Sequence, residues 1–573
     1  MNFEITADNQ PYLESRGKIV LNACPGSGKT TAVAFKLTQL TQECEVNYGA
    51  FAGIACLSFT NVAKQEIGSK YQEISGQILG YPHTLSTIDS FINRYITLPY
   101  YYLLKKGTDR PLILNKVTFL DSMKLGNFKN KQGKPLRYSY PPSEIKIEAD
   151  NSYSWKGKKA KPDIVDEQTF NNYCKVYKKW QSDHGYLDND DSSCIACHLL
   201  SKYPAIASNL VKRFPYLIID EAQDTSEIQY HIFDCLIKAG LANIELVGDP
   251  SQSLYEFREA RPDLFMQRFN DTENWRSLRF NRCRRSSQRI INQYCMLRSN
   301  TEAVITSSCL HTSDHSVKVL RYDVNNLKQL IDRFTKLTGQ ALNNYILVRG
   351  ATHLEQFGVK AVLENPWKTG VAKSLIEAEQ YFTQGNTKMC IEILHFFLSS
   401  VQLPDQDLKS QKAHARNLKA DVNVNIRLFN FIRQMPSVDD TITGWTAKMT
   451  NHIKATLDIT FDLQLKQKKG AAYYEQNVKK LLYPSVDLPF PVATIHSVKG
   501  KTFNAVLLVL SEKSTGASIS LSDFIQTDAL PGEKQRMIYV ALSRPECLCC
   551  IAVPDTFSEA DITDKLGDQI EFE

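Results

Sequence analysis

The stretch LNACPGSGKTTA, Leu21 to Ala32, stands between an apolar run and a helical pattern. Ahead of it, Lys18 to Asn22 supply a short strand. Behind it, TAVAFKLTQL spaces its apolar residues as one face of a helix. A Gly-rich turn in that setting can hold a triphosphate, because backbone N–H groups at the helix N-terminus face the phosphates. The turn is Ala23, Cys24, Pro25, Gly26, Ser27, Gly28, Lys29, Thr30 and Thr31. Gly26 and Gly28 let it curl, Lys29 is placed for the β- and γ-phosphates, and Thr30 offers a hydroxyl to Mg²⁺. Ala23 occupies a position where the common pattern has Gly, and a methyl fits there if no positive φ is needed.

Further apolar runs follow at FAGIACLSFTN, YLIIDEAQD and IELVGDPSQS, alternating with helical stretches. That alternation predicts an α/β chain with parallel, doubly wound sheets. Chemistry in such sheets gathers at the carboxyl ends of strands. LIIDEAQD ends in Asp220, Glu221 and Asp224: Asp220 is placed to hold Mg²⁺, and Glu221 to activate a water against the γ-phosphate. A carboxylate serving water favours hydrolysis over transfer to another substrate.

The 573 residues predict about four domains. Hydrophobic content of 43% and charged content of 23% are those of a globular protein with sizeable cores. A net charge of +6 permits nucleic-acid binding without demanding it. The start lacks an apolar signal segment and no run is long enough to span a membrane, so a cytoplasmic protein with 14 reduced cysteines is expected. The haem-like CIACH, Cys194 to His198, is therefore not read as a haem site, Cys547, Cys549 and Cys550 read as core packing, and the Lys-rich WKGKKAK, Trp155 to Lys161, as a solvated loop or a duplex-phosphate contact.

Taken in order, TADNQ, ACPGSGKTT, LSFTNVAKQEI, STIDSF, LIIDEAQD, LVGDPSQSLYEFR, RRSSQRI, TIHSVKGKTF and YVALSR resemble the motifs of superfamily 1 helicases of the UvrD/Rep type. The resemblance runs from Gln10 to Arg544. It implies two RecA-like P-loop NTPase cores, each interrupted by an inserted, mainly helical accessory domain. The first core is expected at 1–97 and 205–275 with its insertion at 98–204, and the second at 276–362 and 488–573 with its insertion at 363–487. By resemblance, Gln10 reads the adenine edge, Gln252 senses the γ-phosphate, and Arg285 and Arg544 reach across the cleft to it. Fixed cations are what a transferring phosphoryl group requires. Cys283 and Arg284 replace the usual Asn and aromatic residue, so the Arg284 guanidinium would supply the stacking plane at the adenine.

The resemblance also implies a DNA partner, single-stranded or with a duplex junction or end. Phe59, Thr60 and Asn61 match one groove motif, Tyr255, Phe257 and Arg258 a second, and Thr494, His496 and Lys499 the contacts of the other core. A strand needs phosphate contacts and faces on which bases stack. The implied activity is a DNA-dependent ATPase and 3′–5′ helicase using ATP and Mg²⁺. The compact form and HSVKGKTF resemble the helicase subunit of Gabija anti-phage defence, which implies an OLD-family ATPase-nuclease partner in a hetero-oligomer. A nucleotide- and DNA-end-sensing subunit, or a repair helicase, are the alternatives.

Overall fold

The computed structural model describes the chain except residues 1–3, 106–109, 115–116, 149, 151, 256–258, 300–301, 310–316, 340, 360–364, 384, 467–469, 480–487, 517 and 527–529. The chain forms two compact units, Met1–Gly350 with Ala493–Glu573, and Ala351–Val492.

The first unit holds two six-stranded sheets. The first uses β1 (Lys18–Ala23), β2 (Ile54–Ser58), β3 (Thr84–Thr87), β4 (Tyr216–Asp220), β5 (Asn243–Gly248) and β6 (Arg276–Phe280). Their spatial order is β6-β1-β5-β4-β2-β3, with parallel pairing throughout. β2 and β4 are buried at every position, as parallel strands covered on both faces must be. β6 pairs with β1 from Ile19↔Arg276 to Ala23↔Phe280, so the first sheet runs beyond the boundary expected at 275. Its polar RSLRF pattern hid it: an edge strand needs only one covered face. The second sheet uses β7 (Val317–Tyr322), β8 (Asn344–Val348), β9 (Val492–Thr494), β10 (Phe503–Val509), β11 (Pro545–Pro554) and β12 (Ile570–Phe572), in the order β9-β8-β10-β11-β7-β12. This is the mixed α/β, two-sheet architecture expected.

The first insertion contains the helices Glu167–Asp183 and Asn189–Lys202 and an antiparallel hairpin, Ile145–Ile147 with Tyr153–Trp155. Cys194 and Cys197 lie on the second of those helices and pack against the first core. All 14 cysteines are reduced thiols. The second unit is helical, built around a T-shaped Trp367–Trp445 contact with ring centroids 5.4 Å apart. Among the described residues, no helix is long and apolar enough to cross a membrane.

The first core encloses a buried ion pair. Lys36 Nζ, on α2 (Lys29–Tyr48), lies 2.7 Å from Glu245 Oε1 on β5, with both side chains almost fully covered. The same ammonium sits 4.1 Å from the Tyr12 ring centroid. Removing one partner strands a charge in the core, so Lys36→Ala should cost about 3–5 kcal/mol, while Lys36→Met with Glu245→Leu recovers most of it. Thermal unfolding of the three proteins checks this; a single variant as stable as the parent would contradict it.

Candidate functional site

The carboxyl ends of β1, β5, β4 and β2 lie side by side because the sheet is parallel. This brings the loop after β1, the acids after β4, the turn after β5 and Phe59 after β2 to one edge. They line a single cleft together with Arg285, Lys499, Gly500 and Arg544.

The loop after β1 turns into α2 through left-handed glycines, Gly26 at φ 70° and Gly28 at φ 82°. Gly26 is also needed for space. A Cβ there would lie 2.6 Å from Arg285 Cβ and 2.9 Å from Cys283 Sγ, and its carbonyl accepts from Arg284 N–H at 2.8 Å. The loop is thereby joined to the segment that carries Arg285. Ala23 keeps ordinary strand geometry, pairing with Phe280 at the end of β1, so its methyl costs nothing.

Lys29 Nζ lies 2.5 Å from Glu221 Oε1 and 3.7 Å from Asp220 Oδ1. Burial pushes Asp220 up to about 6, against the pull of Lys29. Burial would raise Glu221 as well, but the Lys29 and Lys499 ammoniums hold it down at about 2. Glu221 is thus the more acidic member of the pair. Its backbone is left-handed at φ 55°, a conformation costing about 1–3 kcal/mol that recurs at functional sites. Gln223 Nε2 fixes its other oxygen at 2.5 Å. Asp220 Oδ1 is buried and accepts no hydrogen bond. With Thr30 lining the same cleft, this carboxylate oxygen provides the hard oxygen donors that a magnesium ion requires.

The second core closes the cleft. Arg544 is buried and donates through Nη2 to Gln252 Oε1 at 2.6 Å. Gln252 in turn donates to Asp249 Oδ2 at 2.7 Å. Arg285 Nη1 donates to the Ser543 carbonyl at 2.9 Å, which sets the two arginines close together. Burial and the neighbouring Arg285 pull the Arg544 guanidinium down to about 9. Lys499 pairs with Asp224 and lies 3.9 Å from Glu221 Oε2.

Phe59 and Tyr255 form a half-buried aromatic pair at the cleft margin, centroids 4.9 Å apart and tilted by 32°. The His496 ring is 6.4 Å from Tyr255. Thr60 caps α3 (Asn61–Ser75), accepting from Ala63 N–H at 3.1 Å. Asn61 is exposed at the start of that helix and Thr494 ends β9. Phe257 and Arg258 lie outside the described residues.

Not every expected residue converges. Gln10 is exposed and donates to Glu14 Oε1 at 2.7 Å; it does not line the cleft. Arg284 is exposed, with Nη1 3.7 Å from where a Gly28 Cβ would be, so it lies over the loop rather than within it. Lys499, expected on the DNA track, faces Asp224 and Glu221 and also lies 5.0 Å from the Tyr255 ring centroid. Glu66 on α3 escaped notice. It lines the cleft, and burial raises its pKa although Lys29 is near. No other carboxylate lies within six residues of it in the sequence, so no local pattern marks it.

Fold and site together define a P-loop nucleoside triphosphatase whose cleft lies between two cores. Residues 5–273 match the family model of the UvrD/REP helicase N-terminal domain. The chain is 25% identical over 540 residues to the ATP-dependent DNA helicase Rep of Buchnera aphidicola subsp. Acyrthosiphon pisum, covering 84% of this chain and 77% of that protein. It is 24% identical over 369 residues to the Rep protein of Buchnera aphidicola subsp. Schizaphis graminum, covering 61% of this chain and 51% of that protein. Against the ATP-dependent DNA helicase PcrA of Staphylococcus aureus it is 26% identical over 275 residues, 45% of this chain and 35% of that protein. Residues 5–273 thus match a UvrD/REP helicase N-terminal domain, and the chain is similar over most of its length to a helicase of the Rep type.

Proposed function

We propose that this protein is an ATP-driven DNA motor that hydrolyses ATP in the cleft and moves on a single strand in the 3′ to 5′ direction, unwinding duplexes as it goes. One observation carries the reading: groups from both cores meet in a cleft whose margin holds the Phe59–Tyr255 pair. Lys29 would bind the β- and γ-phosphates, and in doing so would leave Glu221 free to take a proton from the attacking water. Thr30 and Asp220 would hold Mg²⁺, which supplies charge neutralisation at the phosphoryl oxygens. Gln252, Arg285 and Arg544 would sense and neutralise the γ-phosphate, so that closure of the cores follows the nucleotide. Arg284, over the loop, would meet the adenine, as would Gln10 on turning away from Glu14, while Thr60, Asn61, Phe257, Arg258, Thr494, His496 and Lys499 would serve the strand. The experiment is ATP turnover with and without oligothymidylate. Stimulation is expected, and turnover indifferent to DNA of every form would remove the motor reading.

The resemblance to the Gabija subunit supports a narrower reading, in which an OLD-family ATPase-nuclease partner turns this motor, or a DNA-end sensor built on it, to anti-phage defence. Co-expression with the product of the adjacent reading frame should give a single hetero-oligomeric peak in size exclusion. Separate elution would leave a motor working alone, as a repair helicase does.

A further inference from the structure

Behind Gln252 lies a buried ion pair that lines no part of the cleft. Arg298 and Glu302 follow the helix Gln288–Cys295, whose apolar residues pack into the second core. Both side chains are almost fully covered. The guanidinium donates through Nη2 to Glu302 Oε2 and through Nη1 to the Ala303 carbonyl at 3.0 Å. A pair of this kind commonly adds less stability than apolar residues of the same volume.

The pair faces the turn after β5. Ser251 is buried, and its Oγ donates to Glu302 Oε1 at 3.4 Å. Burial raises the Asp249 carboxyl, and among the charges around it Arg298 does most to hold it down. Tyr539, on the helix Glu533–Leu542, donates its hydroxyl to Asp249 Oδ2 at 3.3 Å. Arg536 of the same helix donates through Nε to the Ser253 carbonyl at 2.7 Å. Asp249, Ser251, Gln252 and Ser253 thus each meet a group from the second core.

Gln252 is where these contacts bear on the chemistry. Its amide gives Nε2 to Asp249 Oδ2 at 2.7 Å and accepts Arg544 Nη2 on Oε1 at 2.6 Å. An ionised carboxylate only accepts, and a guanidinium only donates. The amide therefore satisfies both partners in one orientation alone. Turned by half a rotation, it sets donor against donor and acceptor against acceptor. An ionised Asp249 fixes which end of Gln252 meets Arg544. Arg298 supplies the cation that favours this ionisation, and Glu302 holds the turn beside it.

We propose that Arg298 and Glu302 are positioning residues that orient Gln252 towards Arg544, and so towards the γ-phosphate. The inference rests on the ATPase reading of the cleft and deepens it. Neither residue lines the cleft, so the pair acts through Asp249 and Ser251.

The test replaces Arg298→Met together with Glu302→Leu in the full chain, since exchanging both charges for apolar residues keeps a buried site folded. On oligothymidylate, kcat for ATP should fall by about tenfold or more, as for loss of a hydrogen bond to a charged group, with KM within about threefold of the parent. The thermal unfolding midpoint should stay near that of the parent, which separates positioning from mere support of the fold. In a Gln252→Ala background the same replacement should add less than about twofold, because the amide it orients is gone. A kcat within about twofold of the parent, or the full loss repeated without Gln252, overturns the proposal. A second comparison holds even if the Met–Leu protein does not fold. Arg298→Lys keeps the cation and should hold kcat within about threefold, whereas the uncharged Arg298→Gln should lose about tenfold. Equal kcat for these two overturns the proposal. A parent protein that hydrolyses no ATP, with DNA or without, overturns the ATPase reading instead.

Discussion

Replacing Glu221 by Gln should lower ATP turnover by about 10²–10⁴-fold while leaving nucleotide affinity within a few-fold of the parent. The side chain keeps its size and one acceptor oxygen, so the Gln223 contact and the left-handed turn have what they need. What is lost is the anion. Glu221 is the carboxylate that two lysines keep ionised, whereas buried Asp220 is pushed towards the protonated form. The two neighbours thus differ in proton affinity by environment alone, which is how adjacent acids come to hold separate roles. Single-turnover hydrolysis together with binding of a fluorescent nucleotide measures both quantities. Turnover within threefold of the parent would remove Glu221 from the role of base.

Arg544→Ala should be nearly as severe, with turnover falling by about 10³-fold or more. Arg544 sits buried between Gln252 and the Ser543 hydroxyl, close to Arg285, and the ion pairs among the described residues include neither arginine. Two neighbouring guanidiniums without a paired carboxylate hold an unfavourable charge that a γ-phosphate would relieve. Lysine should not rescue the loss. One ammonium cannot donate to Gln252 and to a phosphate with the fork geometry of a guanidinium. The measurement is DNA-stimulated ATPase for the Ala and Lys variants. A Lys variant as active as the parent would show that only a charge is wanted there.

Legibility differed from residue to residue for physical reasons. Gly26, Gly28, Lys29, Asp220 and Glu221 were readable because a phosphate loop and an acidic strand end are local: strand, turn and helix propensities place them within a few residues. β2 and β4 were readable because fully buried parallel strands are continuous apolar runs. β6 was not, since half-exposed RSLRF carries no such run, and only pairing with β1 makes it a strand. The motif of Lys499 points to a strand contact, and its approach to Asp224, Glu221 and the Tyr255 ring depends on how the second core docks. Glu66 shows the same limit, because nothing in its neighbours marks which face of α3 meets the cleft.

The sequence by itself determined the class of chemistry: a triphosphate loop, acids at a strand end, and two arginines in motifs that come late in the chain. Those features are written in local pattern and residue type. Only packing sets that Arg285 reaches the loop through the space left by Gly26, that Arg544 meets Gln252, and that Glu221 is more acidic than Asp220. The reason is that burial and approach between cores arise from packing across hundreds of residues. Packing sets the local dielectric and the distance between charges, and a linear pattern holds neither.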